Sequence, residues 1–229
     1  MSSYAETRER LETYFDRTAA KTWEALTSDA PVSKIRQTVR EGRDEMRMAM
    51  LGRLPDDLTG KRVLDAGAGA GQMTEALAKR GATVVAADIS PSLLDVAKRR
   101  IPTALHDQIE FRAGDMLEES LGHFDHIVAM DSLIHYKIDD IGDALAKLGA
   151  RCETSMIFTI APSTAFLKAF WLLGQVFPRS DRSPQIIPHS DHSLQRTVSS
   201  NPVLTHFMLG RVKRVSRGFY ISQAMELAR

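Results

Sequence analysis

Apolar positions follow two rhythms along the chain. Ser2 to Leu26 is rich in helix formers and ends near the turn-prone Ser28-Asp29; from Val32 to Leu54 apolar Ile35, Val39, Met46 and Met50 fall at roughly helical spacing among Lys34, Arg36, Arg40, Arg43 and Arg47. This predicts two helices, the second partly exposed and broken at Gly42. From Arg62 onward, apolar runs of strand length alternate with helical stretches, the signature of a parallel sheet covered on both faces. The expected strands are Arg62–Ala66, Thr83–Ala87, Ile109–Ala113, Phe124–Met130 and Ser155–Ile160. The intervening helices are Met73–Arg80, Ser90–Arg100 and about Ile138–Gly149, the second opened by Pro91 at a position where its missing N–H costs nothing.

After Ile160 the alternation lapses. Pro162 to Pro188 reads as an apolar helix and a loop rich in Pro, Ser and Arg, too long for a plain connection, and predicts a substrate-side insertion. A short helix near His192–Ser199 follows, then two strands, Thr205–Val215 and Phe219–Ala228, turning at Arg217-Gly218 as an antiparallel hairpin on one sheet edge. The expected organisation is an N-terminal helical arm or lid over residues 1–54 and one doubly wound α/β domain over 55–229, with the insertion at about 162–200.

Composition narrows the function classes. A 229-residue chain with 43% hydrophobic and 26% charged residues is that of a globular protein, and a formal charge of +1 gives no field that points to nucleic acid. The single cysteine, Cys152, excludes an internal disulfide and suits a reducing compartment. The first residues lack a leader pattern, and the apolar window Ala165–Phe177 carries Lys168 and is shorter than the ~20 residues of a spanning helix. The expected location is cytoplasmic, with contact at a membrane surface left open. His189 and His192 have no cysteine or carboxylate at ligand spacing, so no protein-bound metal is expected.

The strongest chemical signal is Val63-Leu64-Asp65-Ala66-Gly67-Ala68-Gly69-Ala70-Gly71-Gln72, where the first strand should turn into the first helix of the sheet. A dinucleotide fingerprint would want glycine at position 72, which is Gln72. Asp65, just ahead of the turn, would repel a diphosphate and attract an ammonium or sulfonium. Asp88 ends the second strand, where a carboxylate can accept from both ribose hydroxyls, and Ile89 beside it can pack on a purine. Asp115 and Met116 follow the third strand and can meet an adenine's amino group and ring face. Together these positions describe a site for an adenosyl ligand with a positive tail.

On these residues the chain from about Arg62 to Ile160 resembles the class I S-adenosylmethionine methyltransferases. The resemblance implies a seven-stranded, mostly parallel sheet with its last strand antiparallel. It places Gly67, Gly69 and Gly71 at the methionine part of the cofactor, Asp88 at the ribose, Asp115 with Met116 at the adenine, and Met130 in the same site. Outside that core, Tyr14-Phe15-Asp16 with Trp23, the stretch Met130-Asp131-Ser132-Leu133-Ile134-His135-Tyr136, Phe158-Thr159-Ile160-Ala161-Pro162, Phe170 through Pro188 and Ile221-Ser222-Gln223 resemble the magnesium-protoporphyrin O-methyltransferases of chlorophyll and bacteriochlorophyll synthesis.

This second resemblance implies methyl transfer from S-adenosylmethionine to a propionate of magnesium protoporphyrin IX. It also implies a partner in the porphyrin-binding subunit of the magnesium chelatase. His135 and Tyr136, with Tyr14 from the arm, are the acceptor-side candidates; His135 either hydrogen-bonds the carboxylate or ligates the substrate's magnesium. Phe166, Phe170, Trp171, Leu172, Leu173 and Phe177 are either core, or a wall for the macrocycle, or a membrane-facing stripe. Arg179, Arg182 and Arg196 are either solvated or hold the propionate that is not methylated. Two rivals remain open: methylation of another hydrophobic acid, and a non-catalytic porphyrin-binding module.

Overall fold

The structure, a computed structural model, describes residues 3–19, 34–164, 167 and 185–229. Helix α1 (Tyr4–Thr13) starts at a capping box between Ser3 and Glu6 and widens into a π-helical stretch, Tyr14–Ala19. Helix α2 (Lys34–Leu51) follows. The alternating part comprises β1 (Arg62–Ala66), α3 (Gln72–Lys79), β2 (Thr83–Asp88), α4 (Pro91–Arg100), β3 (Ile109–Ala113), β4 (Phe124–Ala129), α5 (Ile138–Gly149) and β5 (Cys152–Pro162). Then come β6 (Pro188–His189), α6 (Asp191–Ser200), β7 (Met208–Leu209), β8 (Lys213–Arg217) and β9 (Tyr220–Ala228).

The described strands form one sheet in the order β3-β2-β1-β4-β5-β9-β7, with β8 also on β9 and the short β6 beside the end of β5. β1 to β5 are mutually parallel, and β9 runs antiparallel to β5, from Ser155 opposite Ala228 to Ile160 opposite Gln223. This is the doubly wound sheet expected, with seven positions across it. Its central strands are apolar almost without alternation because both faces are covered. Leu64, Val85, Ile127 and Phe158 pack with α5, α6 and Leu11 of α1. Val63, Val84, Val128 and Ile157 pack with α2, α3 and α4.

Two expectations are corrected. Gly42 does not break the second helix: α2 runs through it, and a Cβ there would lie 2.6 Å from Tyr220 Cδ1, so the glycine admits the β9 tyrosine against the helix. The strand expected over Thr205–Val215 is split. Between Leu209, opposite Leu227, and Lys213, opposite Ala224, the edge advances four residues while β9 advances three, a bulge with Gly210 against the Glu226 side chain. No described helix is long and apolar enough to cross a membrane.

Candidate functional site

The C-terminal ends of β1, β2, β3 and β4 open into a cavity, which is where ligands bind in sheets of this kind. At its floor Asp65 is 1% exposed, and its Oδ2 accepts from Thr74 Oγ1 of α3 at 2.6 Å. Burial pushes its carboxyl up to about 7 against that hydrogen bond, with the charge of Asp88 adding to the rise.

The glycines of the turn have left-handed φ values of +87°, +54° and +83°, and they serve different ends. A Cβ on Gly67 would lie 2.5 Å from Ser132 Cβ, and one on Gly71 would lie 2.7 Å from Ala97 Cβ of α4. Around Gly69 nothing lies within 4 Å of that position. Gly67 and Gly69 line the cavity, whereas Gly71 lies outside its lining and serves the contact with α4. Only Gly69 is left bare toward ligand space.

Asp88 is fixed by the backbone around it. Its Oδ2 accepts from the Gly69 N–H at 2.7 Å and its Oδ1 from the Ser90 N–H at 2.8 Å, while burial raises its pKa against both bonds. Each oxygen keeps a lone pair for a further donor. Ser90 caps α4, and Asp16 from the arm accepts from Ser90 Oγ and the Ser92 N–H. Ile89, Met116 and Met130 line the cavity as expected.

Asp115 lines it too, but its carboxylate already holds the arm: Oδ1 accepts from Tyr4 Oη at 2.8 Å and Oδ2 from Arg8 Nη1 at 2.9 Å. Tyr4 stacks on Tyr136 at 4.7 Å between ring centroids. Burial, and then the charge of Asp115, keeps the Tyr136 hydroxyl protonated.

The acceptor side is the turn after β4. Asp131 has φ +55°, a conformation that side chains rarely adopt, and is held there from several elements. Its carboxylate pairs with Arg43 of α2 at 2.6 Å and accepts from Tyr220 and Ser222 of β9, while its N–H donates to Thr159 Oγ1 of β5 at 2.7 Å. The buried Ser132 Oγ has no hydrogen-bond partner among the described residues, and Ser132 lines the cavity. His135 lines the cavity with its Nδ1 3.1 Å from the Gln185 carbonyl. A carbonyl only accepts, so Nδ1 carries the proton, and burial lowers the imidazole pKa so that Nε2 stays a bare acceptor at neutral pH. The same segment bonds the turn again through Ile187 N–H to the Ile134 carbonyl and His189 Nε2 to the Tyr136 carbonyl, which accounts for buried His189.

Sequence reasoning placed Tyr14 at the acceptor, but Tyr14 is not among the lining residues. Its ring packs edge-on to Phe15, and Phe15 lines the cavity 6.2 Å from the His135 ring. Tyr4, Leu11, Arg43, Arg47 and Asp131 were missed. A signal existed: Tyr4, Arg8, Leu11 and Phe15 are spaced i, i+4, i+7, i+11 along one face, and Arg43 with Arg47 share a face of α2. Arg196 is exposed on α6 beside His192 and is not among the residues lining the cavity. Trp23, Phe166, Phe170, Trp171, Leu172, Leu173, Phe177, Arg179 and Arg182 lie outside the described residues.

Known proteins resemble this chain in sequence and in fold. A family model described as the magnesium-protoporphyrin IX methyltransferase C-terminus matches residues 129–229, and a general methyltransferase-domain model matches residues 63–153. A magnesium-protoporphyrin O-methyltransferase of Rhodobacter capsulatus is 56% identical over 226 residues, covering 98% of each chain. The crystal structure of magnesium protoporphyrin IX methyltransferase from Synechocystis PCC 6803 with bound SAH superposes with a TM-score of 0.81 at 24% identity, covering 97% of this chain and 99% of that one. Geranyl diphosphate C-methyltransferase of Streptomyces coelicolor, at 12% identity and a TM-score of 0.67, shares the fold.

Proposed function

The chain belongs to the magnesium-protoporphyrin IX methyltransferase family, and from that premise we propose how its cavity performs the family's reaction. That reaction transfers a methyl group from S-adenosylmethionine to a propionate carboxylate of magnesium protoporphyrin IX in (bacterio)chlorophyll biosynthesis, giving the monomethyl ester and S-adenosylhomocysteine. The observation that carries the site reading is the open space at Gly69 between buried Asp65 and Asp88, which fits a ligand with a ribose and a positive tail. S-adenosylmethionine supplies the electrophilic methyl on its sulfonium.

In this reading Asp88 accepts from the ribose hydroxyls, and Asp65 faces the cationic tail. Ile89 and Met116 flank the adenine, Asp115 accepts from its amino group while retaining the arm, and Gly67, Gly69 and Met130 bound the methionine part. Gly71 supports the turn from behind.

A propionate is ionised near neutral pH and needs no strong base, so alignment and exclusion of water supply the acceleration. Tyr136, buried and capped by Tyr4, forms a fixed wall. His135 presents Nε2 as an acceptor. It can bind the substrate's magnesium, whereas donating to the ionised propionate would require the imidazolium that burial disfavours. Tyr14 acts through Phe15, whose ring it supports.

The lid is α1 with the stretch through Ala19. α2 is part of the domain, since Met46 and Met50 are fully buried in the core. Two finer readings rest on the family and on the apolar macrocycle: receipt of the porphyrin from the chelatase's porphyrin-binding subunit, and peripheral contact with a membrane. Pull-down by that subunit and co-sedimentation with anionic vesicles test them separately.

The central test is turnover with S-adenosylmethionine and magnesium protoporphyrin IX, following ester and S-adenosylhomocysteine, with metal-free porphyrin alongside. Ester from the magnesium porphyrin is expected. Cofactor binding without ester would leave the donor half standing and remove the acceptor half.

A further inference from the structure

A propionate is a short arm, with two methylene groups between its carboxylate and the ring that bears it. A carboxylate that reaches the methyl donor inside the cavity therefore leaves its macrocycle at the mouth, beside the acceptor turn. A flat apolar ring held there needs apolar side chains that are exposed in the ligand-free protein, because burial of its faces is what holds it.

Among the described residues the large apolar side chains left exposed are Met48, Ile186, Val203, Met208, Val212 and Phe219. Singly, such residues are ordinary on a protein surface. Two of them differ in being tied to the acceptor turn. Ile186, 38% exposed, stands between Gln185, whose carbonyl meets His135 Nδ1, and Ile187, whose N–H donates to the Ile134 carbonyl at 2.9 Å. Phe219, 58% exposed, is followed by Tyr220, whose hydroxyl donates to Asp131 at 3.1 Å. They reach the turn from opposite faces of the sheet: Tyr136, bonded to His189 of the first segment, belongs to the core with α5, and Tyr220 to the core with α2.

Both are positioned by their neighbours. Gly218 has φ +55° and lies so close to α2 that a Cβ there would be 2.6 Å from Thr38 Oγ1, and Arg217 Nε pairs with Glu45 of the same helix at 2.9 Å. The hairpin tip is thus anchored before and after Phe219, as Ile186 is by the backbone bonds of the residues flanking it. Preformed apolar contacts cost little ordering on binding. Neither side chain lines the cavity, so neither is a contact of the methyl donor.

We propose that Ile186 and Phe219 form an apolar rim on which the macrocycle of the acceptor rests while its propionate enters the cavity between them. The proposal deepens the methyltransferase reading of the site and rests on it.

The experiment compares the wild type with Ile186→Thr, Phe219→Ser, the double variant and Met208→Ser. Met208 is 73% exposed and pairs with Ala228, at the other end of β9 from Tyr220, so it controls for adsorption of porphyrin to any exposed apolar side chain. Fluorescence titration gives the affinity for magnesium protoporphyrin IX, calorimetry that for S-adenosylhomocysteine. Each rim variant should weaken the porphyrin by about 3- to 10-fold and the double variant by about the product, with S-adenosylhomocysteine affinity as in the wild type and Met208→Ser without effect. Unchanged porphyrin affinity in the double variant overturns the proposal, and if binding to anionic vesicles falls instead, the two side chains face lipid. An equal loss in Met208→Ser overturns it as adsorption, and an equal loss of S-adenosylhomocysteine affinity overturns it as damage to the fold. Failure of the methyltransferase reading itself would appear in the wild type, as binding of neither ligand.

Discussion

The two halves of the cavity are built differently. The half that faces the adenosyl group comes from residues at successive strand ends, and its fixing bonds stay within the first two strand–helix units: Asp65 to Thr74, Asp88 to Gly69 and to Ser90. The half that faces the acceptor is assembled from distant segments. Arg43 and Tyr220 reach Asp131, and Gln185 reaches His135. Local bonds form with the strands themselves. The long-range ones form only when α2, β9 and the segment at 185–189 are all in place. The difference teaches that donor binding and acceptor alignment are separable properties of this molecule.

The largest expected effect tests that separation directly. His135→Ala should lower kcat by about 100- to 10,000-fold while S-adenosylhomocysteine affinity in calorimetry stays at the wild-type value. A parallel loss of affinity would mean the halves are not separate. The acceptor role also has a pH signature: wild-type kcat should hold above neutrality and fall as pH drops through the lowered imidazole pKa. A rate that instead rises on acidification would make the imidazolium the active form.

Next in size, Asp88→Ala should weaken S-adenosylhomocysteine binding by about 100-fold, because it removes a buried charged acceptor and frees the Gly69 N–H. Circular dichroism should show the sheet intact.

Much of the donor half is legible in the sequence because each of its residues is positioned by its own strand, so a motif suffices to find Asp65, Asp88 and Met116. The acceptor half is read only in part. His135 and Tyr136 belong to a recognisable stretch, but Arg43 and Arg47 look like the solvated face of an amphipathic helix until β9 is seen beside it. Tyr14 and Phe15 are neighbours in the arm, and which of the two meets the cavity depends on how the arm packs, which puts the phenylalanine in the lining. The split of the edge strand at Gly210 was hidden because a bulge depends on the partner strand's register and not on local propensity.

A smaller effect probes how α2 is seated. Gly42→Ala drives a methyl into Tyr220 and should cost about 1–3 kcal/mol, read as a fall in Tm of about 3 °C per kcal/mol. Asp131 loses its neighbour's register in the process, so kcat should fall more than donor affinity.

The last test belongs to the donor half. The carboxyl of Asp65 titrates near 3.8 in the unfolded chain and near 7 in the folded one, so its contribution to stability is complete below the first value and is lost as pH rises toward the second. Relative to Asp65→Asn, the ligand-free wild type should therefore lose Tm across that window and then level off. Parallel curves for the two proteins would show that the charge is not penalised there.

The place of β9 has a consequence for the birth of the molecule. It is the last of the described strands in chain order, yet it lies inside the sheet, between β5 and the β7–β8 edge, and it carries Tyr220 and Ser222 to Asp131. A nascent chain halted before Tyr220 would expose the whole apolar flank of β5, an adhesive edge with nothing to cover it. Such a fragment could already possess the donor pocket while lacking the support of the acceptor turn. During translation, the ability to hold the methyl donor should thus precede the ability to spend it, and the interval between them is the time the ribosome takes to deliver one buried strand.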